Sequence, residues 1–179
     1  YPKGISVSPD GKTIYVTDNN VIRKIYSTDS NTIFHQSANE LTNNIKVVNV
    51  ANVSDEWGRD NGAAASSKFY DPKGIDLDSN GDLIIADNEG IRKLTVGSQS
   101  SDPQVSSLVD KGWDEKYGLV VDASNNIYFG SRNSNYIYKY TAAGSLLEVI
   151  DSGTDSGSVD GAITNGKISQ PMDMTLHPA

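Results

Sequence analysis

Residues 71–94, "DPKGIDLDSNGDLIIADNEGIRKL", contain three short apolar segments separated by two polar turns. Apolar residues alternate from Ile75, the pair Asn80-Gly81 follows, and a continuous apolar run then occupies 83–86. Asn-Gly pairs tolerate the positive φ angles of tight hairpin turns. A third segment begins at Ile91, after a second polar turn. The stretch therefore predicts three short antiparallel strands joined by tight turns.

The same pattern recurs along the chain. "PKGISVSPDGKTIYVTDNNVIRKI" (2–25) and "YGLVVDASNNIYFGSRNSNYIYKY" (117–140) are two further copies, and "PMDMTLHPA" (171–179) begins another. The segment leading into the second copy, 50–72, aligns without a gap with 149–171. A fourth apolar segment follows each complete copy, in 44–51, 104–110 and 145–151. Repeats of four short strands are typical of β-propeller blades.

The sequence thus predicts an all-β chain of about three four-stranded blades and the first strand of a fourth. We place the blades at 1–71, 72–115 and 116–170, with another starting at 171–179 and a loop insertion at about 26–43. Propellers have roughly four to eight blades, so we expect an incomplete ring that is part of one larger propeller domain.

The motif F-Y-D-P-K-G-I-D-L-D-S-N-G-D-L-I-I-A-D-N, followed by I-R-K-L, resembles the NHL repeat, a β-propeller blade motif. The form it resembles is found in surface and secreted proteins, which implies an extracellular or cell-surface location. The sequence departs from the family where Arg often precedes the third-strand Ile: Val21, Gly90 and Tyr136 stand there instead. The resemblance therefore does not predict an Arg–Asp contact between strands from that position.

Composition limits the possible functions. The 179 residues contain no cysteine and carry a net charge of −8. Absence of cysteine excludes disulfides, thiolate metal sites and cysteine nucleophiles. Because nucleic-acid binding depends on clustered positive charge, the acidic balance argues against it. Apolar runs are too short to insert into a membrane.

Residues 76–87 also imitate a calcium loop. Asp76, Asp78, Asn80, Asp82 and Asp87 have the oxygen-ligand spacing of an EF-hand. An EF-hand loop needs helices on both sides, whereas the segments here are strands. The equivalents in the first copy are Ser6, Ser8, Asp10 and Asp18, and in the third copy they are Val120, Asp122, Ser124 and Ser131. Since the copies keep the turn and vary the ligands, we favour a hairpin over a metal site, and we predict no cofactor.

Several other residues are candidates for binding. Tyr136, Tyr138 and Tyr140 alternate along one predicted strand, where their rings would form a stacking platform or, as we favour, pack against a neighbouring blade. Trp57 and Trp113 lie in polar segments before new blades and would either anchor a partner or cover a blade interface. Asn52 begins an N-x-S sequon, a possible glycosylation site in a secretory compartment.

These features favour a non-catalytic binding or assembly module over an enzyme, and we find no catalytic residue. Its loops would contact a protein, a glycan, a neighbouring subunit or other parts of the same chain. The alternative is a propeller lyase or hydrolase with a metal in the central channel. With only two histidines in the chain, such a site would need residues from elsewhere, because catalytic zinc generally takes three protein ligands.

Overall fold

The computed structural model describes residues 1–28, 45–96, 101–110, 115–151, 157, 159–162 and 166–176. Within these residues the chain forms strands and no helix. The thirteen strands are β1 (Pro2–Val7), β2 (Thr13–Asp18), β3 (Val21–Ser27), β4 (Ile45–Ala51), β5 (Gly62–Ala63), β6 (Ile75–Leu77), β7 (Leu83–Asp87), β8 (Gly90–Leu94), β9 (Gln104–Asp110), β10 (Lys116–Val121), β11 (Ile127–Ser131), β12 (Tyr136–Tyr140) and β13 (Leu146–Asp151).

The strands form three antiparallel sheets, which we call blades 1, 2 and 3. Blade 1 has the order β1-β2-β3-β4, and blade 3 has the order β10-β11-β12-β13. Blade 2 has the order β5-β9-β8-β7-β6, so it contains five strands instead of the predicted four. The additional strand, β5, comes from the preceding lead-in segment and pairs with the outer strand β9. The predicted all-β, propeller-type architecture is confirmed.

Carboxylate side chains close the first hairpin of each blade. In blade 2, Asp78 Oδ1 accepts hydrogen bonds from the backbone N–H groups of Asn80 and Asp82, each at 2.9 Å. In blade 3, Asp122 Oδ1 accepts from the N–H groups of Ser124 and Asn126. A short acidic side chain that accepts from the amide two residues ahead is a common turn device. The turn chemistry in the sequence therefore produces the hairpins directly.

Two apolar clusters join the blades. The first cluster lies between blades 1 and 2 and comprises Tyr15, Ile22, Ala51, Ala64, Phe69, Ile75, Leu83, Ile85, Leu94 and Val105. The second lies between blades 2 and 3 and comprises Ile84, Ala86, Ile91, Val109, Leu119, Val121, Ile127, Phe129, Tyr138 and Tyr140. Adjacent residues of β7 face opposite blades, which explains why that strand is apolar on both sides.

Glycines allow the innermost strands to approach closely. A Cβ added at Gly4 would lie 2.0 Å from the carbonyl oxygen of Lys73, and one at Gly74 would lie 2.8 Å from the backbone nitrogen of Leu119. At the third junction, a Cβ on Gly118 would lie 2.5 Å from the Cα of Asp173. Gly118 N also donates to Met172 O at 2.9 Å, so 171–176 lies beside β10, without forming a regular strand. A larger residue at any of the three positions would separate the blades.

One face of blade 1 is apolar and exposed. Ile5 is 66% exposed, whereas its repeat equivalent Ile75 is 4% exposed. Val47 is 55% exposed, whereas its equivalent Val105 is 2% exposed. The neighbouring blade accounts for the difference, since Ile75 and Val105 pack in the first cluster.

Among the described residues there is no helix long and apolar enough to cross a membrane.

Candidate functional site

The inner strands line a central cavity of about 780 Å³. The innermost strands of the blades are β1, β6 and β10. Three walls come from β1, from β6 with the two residues before it, and from β10, and 172–176 forms the fourth wall. The lining includes Lys3, Lys73, Asp76, Tyr117 and Met172. The cavity therefore combines two cations, two carboxylates (Asp76 and Asp173), an aromatic ring and apolar surface in one partial channel.

Asp76 is one of the two carboxylates that line this channel, the other being Asp173, and it connects all three blades. Its Oδ1 accepts a hydrogen bond from Ser6 Oγ of blade 1 at 3.1 Å and from the N–H of Leu77 at 2.9 Å. Its Oδ2 accepts from the N–H of Val121 in blade 3 at 2.8 Å. Both oxygens thus hold neighbouring backbone or side-chain donors in place.

The other acidic residues with EF-hand spacing have separate partners. Asp78 Oδ2 and Asp82 Oδ2 lie 2.7 Å and 3.0 Å from Lys93 Nζ. Burial on its own would raise the pKa of Asp78, but hydrogen bonds from Lys93 and from the Asp82 and Asn80 amides outweigh it and lower that pKa. The structure places these residues in a hairpin instead of a coiled ion loop. In the described part of the chain, no group of three His, Cys, Asp or Glu side chains could hold a metal ion.

Asp87 is fully buried and organises the turn between β7 and β8. Its Oδ2 accepts from the N–H of Tyr70 at 2.9 Å and its Oδ1 accepts from the N–H of Glu89 at 2.9 Å. Burial raises the pKa of this carboxyl, because desolvation disfavours the charged form. Arg92, which is also buried, lies 4.0 Å from it.

The sequence patterns missed the role of Arg92. Its guanidinium donates to the carbonyl oxygens of Lys68 and Asp60 at 3.2 Å and to Asn61 Oδ1 at 2.6 Å. It therefore attaches the lead-in segment to blade 2. The signal was present in the repeat, because Arg23 has the same position in blade 1 and its Nε lies 2.8 Å from Asp18 Oδ2. Blades 1 and 2 therefore each have an Arg–Asp contact. Its arginine, Arg23 or Arg92, lies two residues after the position where the NHL repeat often has Arg.

Trp57 and Tyr70 form an aromatic pair on the surface. Trp57 is 73% exposed, and its ring centroid lies 5.8 Å from that of Tyr70 at an interplanar angle of 51°. Trp57 forms a β-bridge with Phe69, and the adjacent Gly58 N donates to Phe69 O at 3.0 Å. The Trp57 ring is therefore exposed on a backbone that hydrogen bonds hold in place.

Both backbones beneath this pair are fixed. Tyr70 donates its N–H to Asp87, and its carbonyl accepts from the N–H of Asn88 at 3.0 Å. On the other side, Asn52 is fully buried, and its Nδ2 donates to Asn20 O at 2.8 Å and to Glu56 O at 2.7 Å. The sequon asparagine thus positions Glu56, the residue next to Trp57, and a glycan on Asn52 would replace one Nδ2 hydrogen and so break at least one of these two bonds.

A cleft of about 220 Å³ lies beside Tyr70, at the junction of blades 2 and 3. It is lined by Tyr70, Asn88, Glu89, Glu115 and Asn133. We call Trp57 together with these five residues the Trp57 surface. Arg59 Nε lies 3.3 Å from Glu89 Oε2, and Arg132 Nη1 lies 3.0 Å from Glu115 Oε2. The two arginines fix the carboxylates that border the cleft.

Lys73 connects the Trp57 surface to the channel. Its buried Nζ donates to Asn88 Oδ1 at 2.7 Å and lies 3.2 Å from Asp71 Oδ2. The ammonium also lies 4.5 Å from the centroid of the Tyr117 ring. Lys3 pairs with the other oxygen of Asp71. These contacts join the cleft wall to the channel rim through a continuous polar network.

The remaining aromatic candidates lie elsewhere. Tyr138 and Tyr140 are buried in the second cluster, and Phe129 stacks on them at centroid distances of 5.3 Å and 5.6 Å. Tyr136 is half-buried and meets Tyr138 edge to face. The row thus packs between blades 2 and 3. Trp113 lies outside the described residues.

Solved structures support the fold class. The chain is similar to streptogramin B lyase, with a TM-score of 0.52 and 20% identity over 88% of this chain and 42% of that one. It is also similar to a catalytically inactive variant of virginiamycin B lyase from Staphylococcus aureus with quinupristin, with a TM-score of 0.51 and 18% identity over 88% of this chain and 43% of that one. The chain therefore spans less than half the length of these structures, which share a β-propeller-like fold with it.

No protein-family model matches the sequence, and no curated protein matches it. The similarity to solved structures is thus a similarity of fold. The class it defines is an all-β, β-propeller-like chain, and the NHL family remains a resemblance in the sequence.

Proposed function

We propose that this chain is a binding module that contacts its partner through the Trp57 surface. The observation that carries the proposal is the exposed ring of Trp57, paired with Tyr70 on a backbone that other blade residues fix. Exposed tryptophan and tyrosine are the residues that most often dominate binding energies. The adjacent cleft adds amide and carboxylate groups that would orient a ligand.

The proposed partner is a protein or a glycan, and the proposed location is extracellular or at the cell surface. Net negative charge and a sequence rich in Asn, Ser, Asp and Gly support a solvent-facing role of this kind. Binding of such a partner at the Trp57 surface requires no catalytic group.

An array that carries both peptides and glycans tests the proposal. Wild-type protein is compared with Trp57→Ala and with the control Tyr1→Ala. The control removes an aromatic ring that is 89% exposed but is distant in sequence from Trp57. We expect at least one immobilised molecule to bind the wild type and Tyr1→Ala equally well. Its affinity for Trp57→Ala should be lower by about tenfold or more. If every interaction survives in Trp57→Ala, the proposal is wrong.

One observation favours a second function, a lyase or hydrolase. The cavity of about 780 Å³ along the inner strands is large enough for a small-molecule substrate, and streptogramin B lyase has a similar fold. This alternative requires a channel metal completed by residues from outside the chain. Elemental analysis of the intact, full-length protein tests this alternative, and a preparation without bound metal would rule the alternative out.

A further inference from the structure

We propose that the ligand of the Trp57 surface is a neutral saccharide, one ring of which stacks on Trp57 while its hydroxyl groups enter the neighbouring cleft. This inference rests on the proposed binding function and adds the chemical class of the ligand.

The geometry of the aromatic pair suits a sugar better than a flat aromatic ligand. Trp57 and Tyr70 meet at 51°, so no parallel slot exists between them into which a nucleobase or planar heterocycle would insert. An indole face that is open to solvent instead offers a negative π surface. The C–H groups on one face of a pyranose ring carry partial positive charge and cover such a surface.

The groups that border the cleft match hydroxyl chemistry. Asn133 offers an amide with both donors and an acceptor, and the carboxylates of Glu89 and Glu115 accept hydrogen bonds. Each glutamate faces an arginine through Oε2, which orients the carboxylate without covering the cleft with a cation. Vicinal sugar hydroxyls are donors and acceptors at once, so they would satisfy these groups together.

Charge selects against anionic ligands. Arg59 lies within 3.5 Å of two carboxylates, Glu89 and Asp110, and Lys68 lies within the same distance of Glu56 and Asp60. Acidic groups therefore outnumber the cations around the Trp57 surface, within a chain of net charge −8. A phosphate, a sulfated glycan or a nucleic acid would meet repulsion here.

Size also favours a small unit. The cleft of about 220 Å³ lies below the roughly 300–1,000 Å³ of sites that enclose drug-sized ligands. It accommodates the hydroxyl groups of about one sugar ring that stacks on Trp57, and further rings of a longer glycan would extend beyond the cleft.

Tryptophan fluorescence provides a direct test, because the chain has only two tryptophans. In Trp113→Phe, the remaining indole is Trp57. The probes are cellohexaose, N-acetylchitohexaose and mannohexaose as neutral saccharides and a heparin hexasaccharide as the anionic one. We expect saturable quenching by at least one neutral probe and none by heparin. Absence of saturable quenching by all three neutral probes, or stronger binding of heparin, would overturn the inference.

Calorimetry on the otherwise unchanged chain gives the second measurement. For the neutral probe that binds, we expect Trp57→Ala to weaken affinity about tenfold or more, and Tyr1→Ala to leave it unchanged. Equal affinity in Trp57→Ala would contradict the stacking contact. The peptide-and-glycan array separates the two proposals: binding of peptides alone through Trp57 would refute the saccharide and leave the binding module intact, whereas no Trp57-dependent binding would refute both.

Discussion

At the scale of single residues, the three blades show how one position accepts different chemistry. Asp87 and Arg92 are both buried in blade 2, whereas Arg23, at the same position in blade 1, is 41% exposed. In blade 3 the corresponding residues are Ser131 and Tyr138. In blade 3, both members of the charged pair are thus replaced. The aromatic ring of Tyr138 stands at the position that the Arg92 guanidinium occupies in blade 2.

The two arginines predict unequal losses of stability. Arg92→Ala leaves the buried Asp87 carboxylate without its cation and releases the lead-in segment, so we expect a loss of roughly 3–5 kcal/mol in the free energy of unfolding. Arg23→Ala removes a partly solvated pair and should cost less than about 1 kcal/mol. Urea unfolding of the two variants measures both values, and equal losses would contradict the assigned role of Arg92.

The Asp78 turn predicts a dependence on pH. Because the pKa of Asp78 lies below its ordinary value of 3.8 in the folded chain, its carboxylate stabilises the fold above pH 3.8. That contribution is lost as the pH falls through the lowered pKa. Asp78→Asn should therefore reduce the free energy of unfolding by roughly 2 kcal/mol at neutral pH and by less at acidic pH.

Urea unfolding of wild type and Asp78→Asn across this pH range measures the difference. Asp10→Asn, which changes a fully exposed turn carboxylate, is the control and should show a smaller loss at every pH. A stability difference between wild type and Asp78→Asn that stays constant down to the most acidic pH would show that the charge of Asp78 is not responsible.

At the scale of strands, the sequence predicted most of the structure. Alternation and Asn-Gly turns located β6, β7 and β8 because both signals are local. Strand β5 was not predicted, since two residues, Gly62 and Ala63, become a strand only by pairing with the distant β9. The Trp57 surface was predicted only in part: the sequence named Trp57, but Glu115 and Asn133 meet Tyr70 through the packing of blade 3 on blade 2.

Contacts between inner strands lead to a further prediction. Gly4→Ala would place a methyl group 2.0 Å from the Lys73 carbonyl oxygen, so blades 1 and 2 must separate. We expect a loss of roughly 1–3 kcal/mol or more. Gly11→Ala meets no atom within 4 Å, although its φ of +70° makes the change strained, and it should cost about 1 kcal/mol. Thermal unfolding of both variants compares the losses, and a larger loss in Gly11→Ala would contradict the close packing.

At the scale of the whole molecule, the face that blade 2 turns toward blade 1 shows how much the contact between blades contributes. Ile75 and Val105 are buried in the first cluster, whereas their blade 1 equivalents Ile5 and Val47 are exposed. Ile75→Glu should unfold the chain, because it buries a charge, whereas Ile5→Glu should change the free energy of unfolding by less than about 0.5 kcal/mol. Urea unfolding of the two variants compares the losses, and equal losses would contradict the packing of blade 2 on blade 1.

Asp76 adds a consequence for folding cooperativity. Its carboxylate bonds Ser6, 70 residues earlier, and Val121, 45 residues later. Neither contact can form until three separate stretches of chain have come together, and loop-closure entropy opposes that step. The Asp76 bonds therefore belong to the last stage of assembly, and amide exchange at Val121 would report the moment at which three hairpins become one cooperative unit.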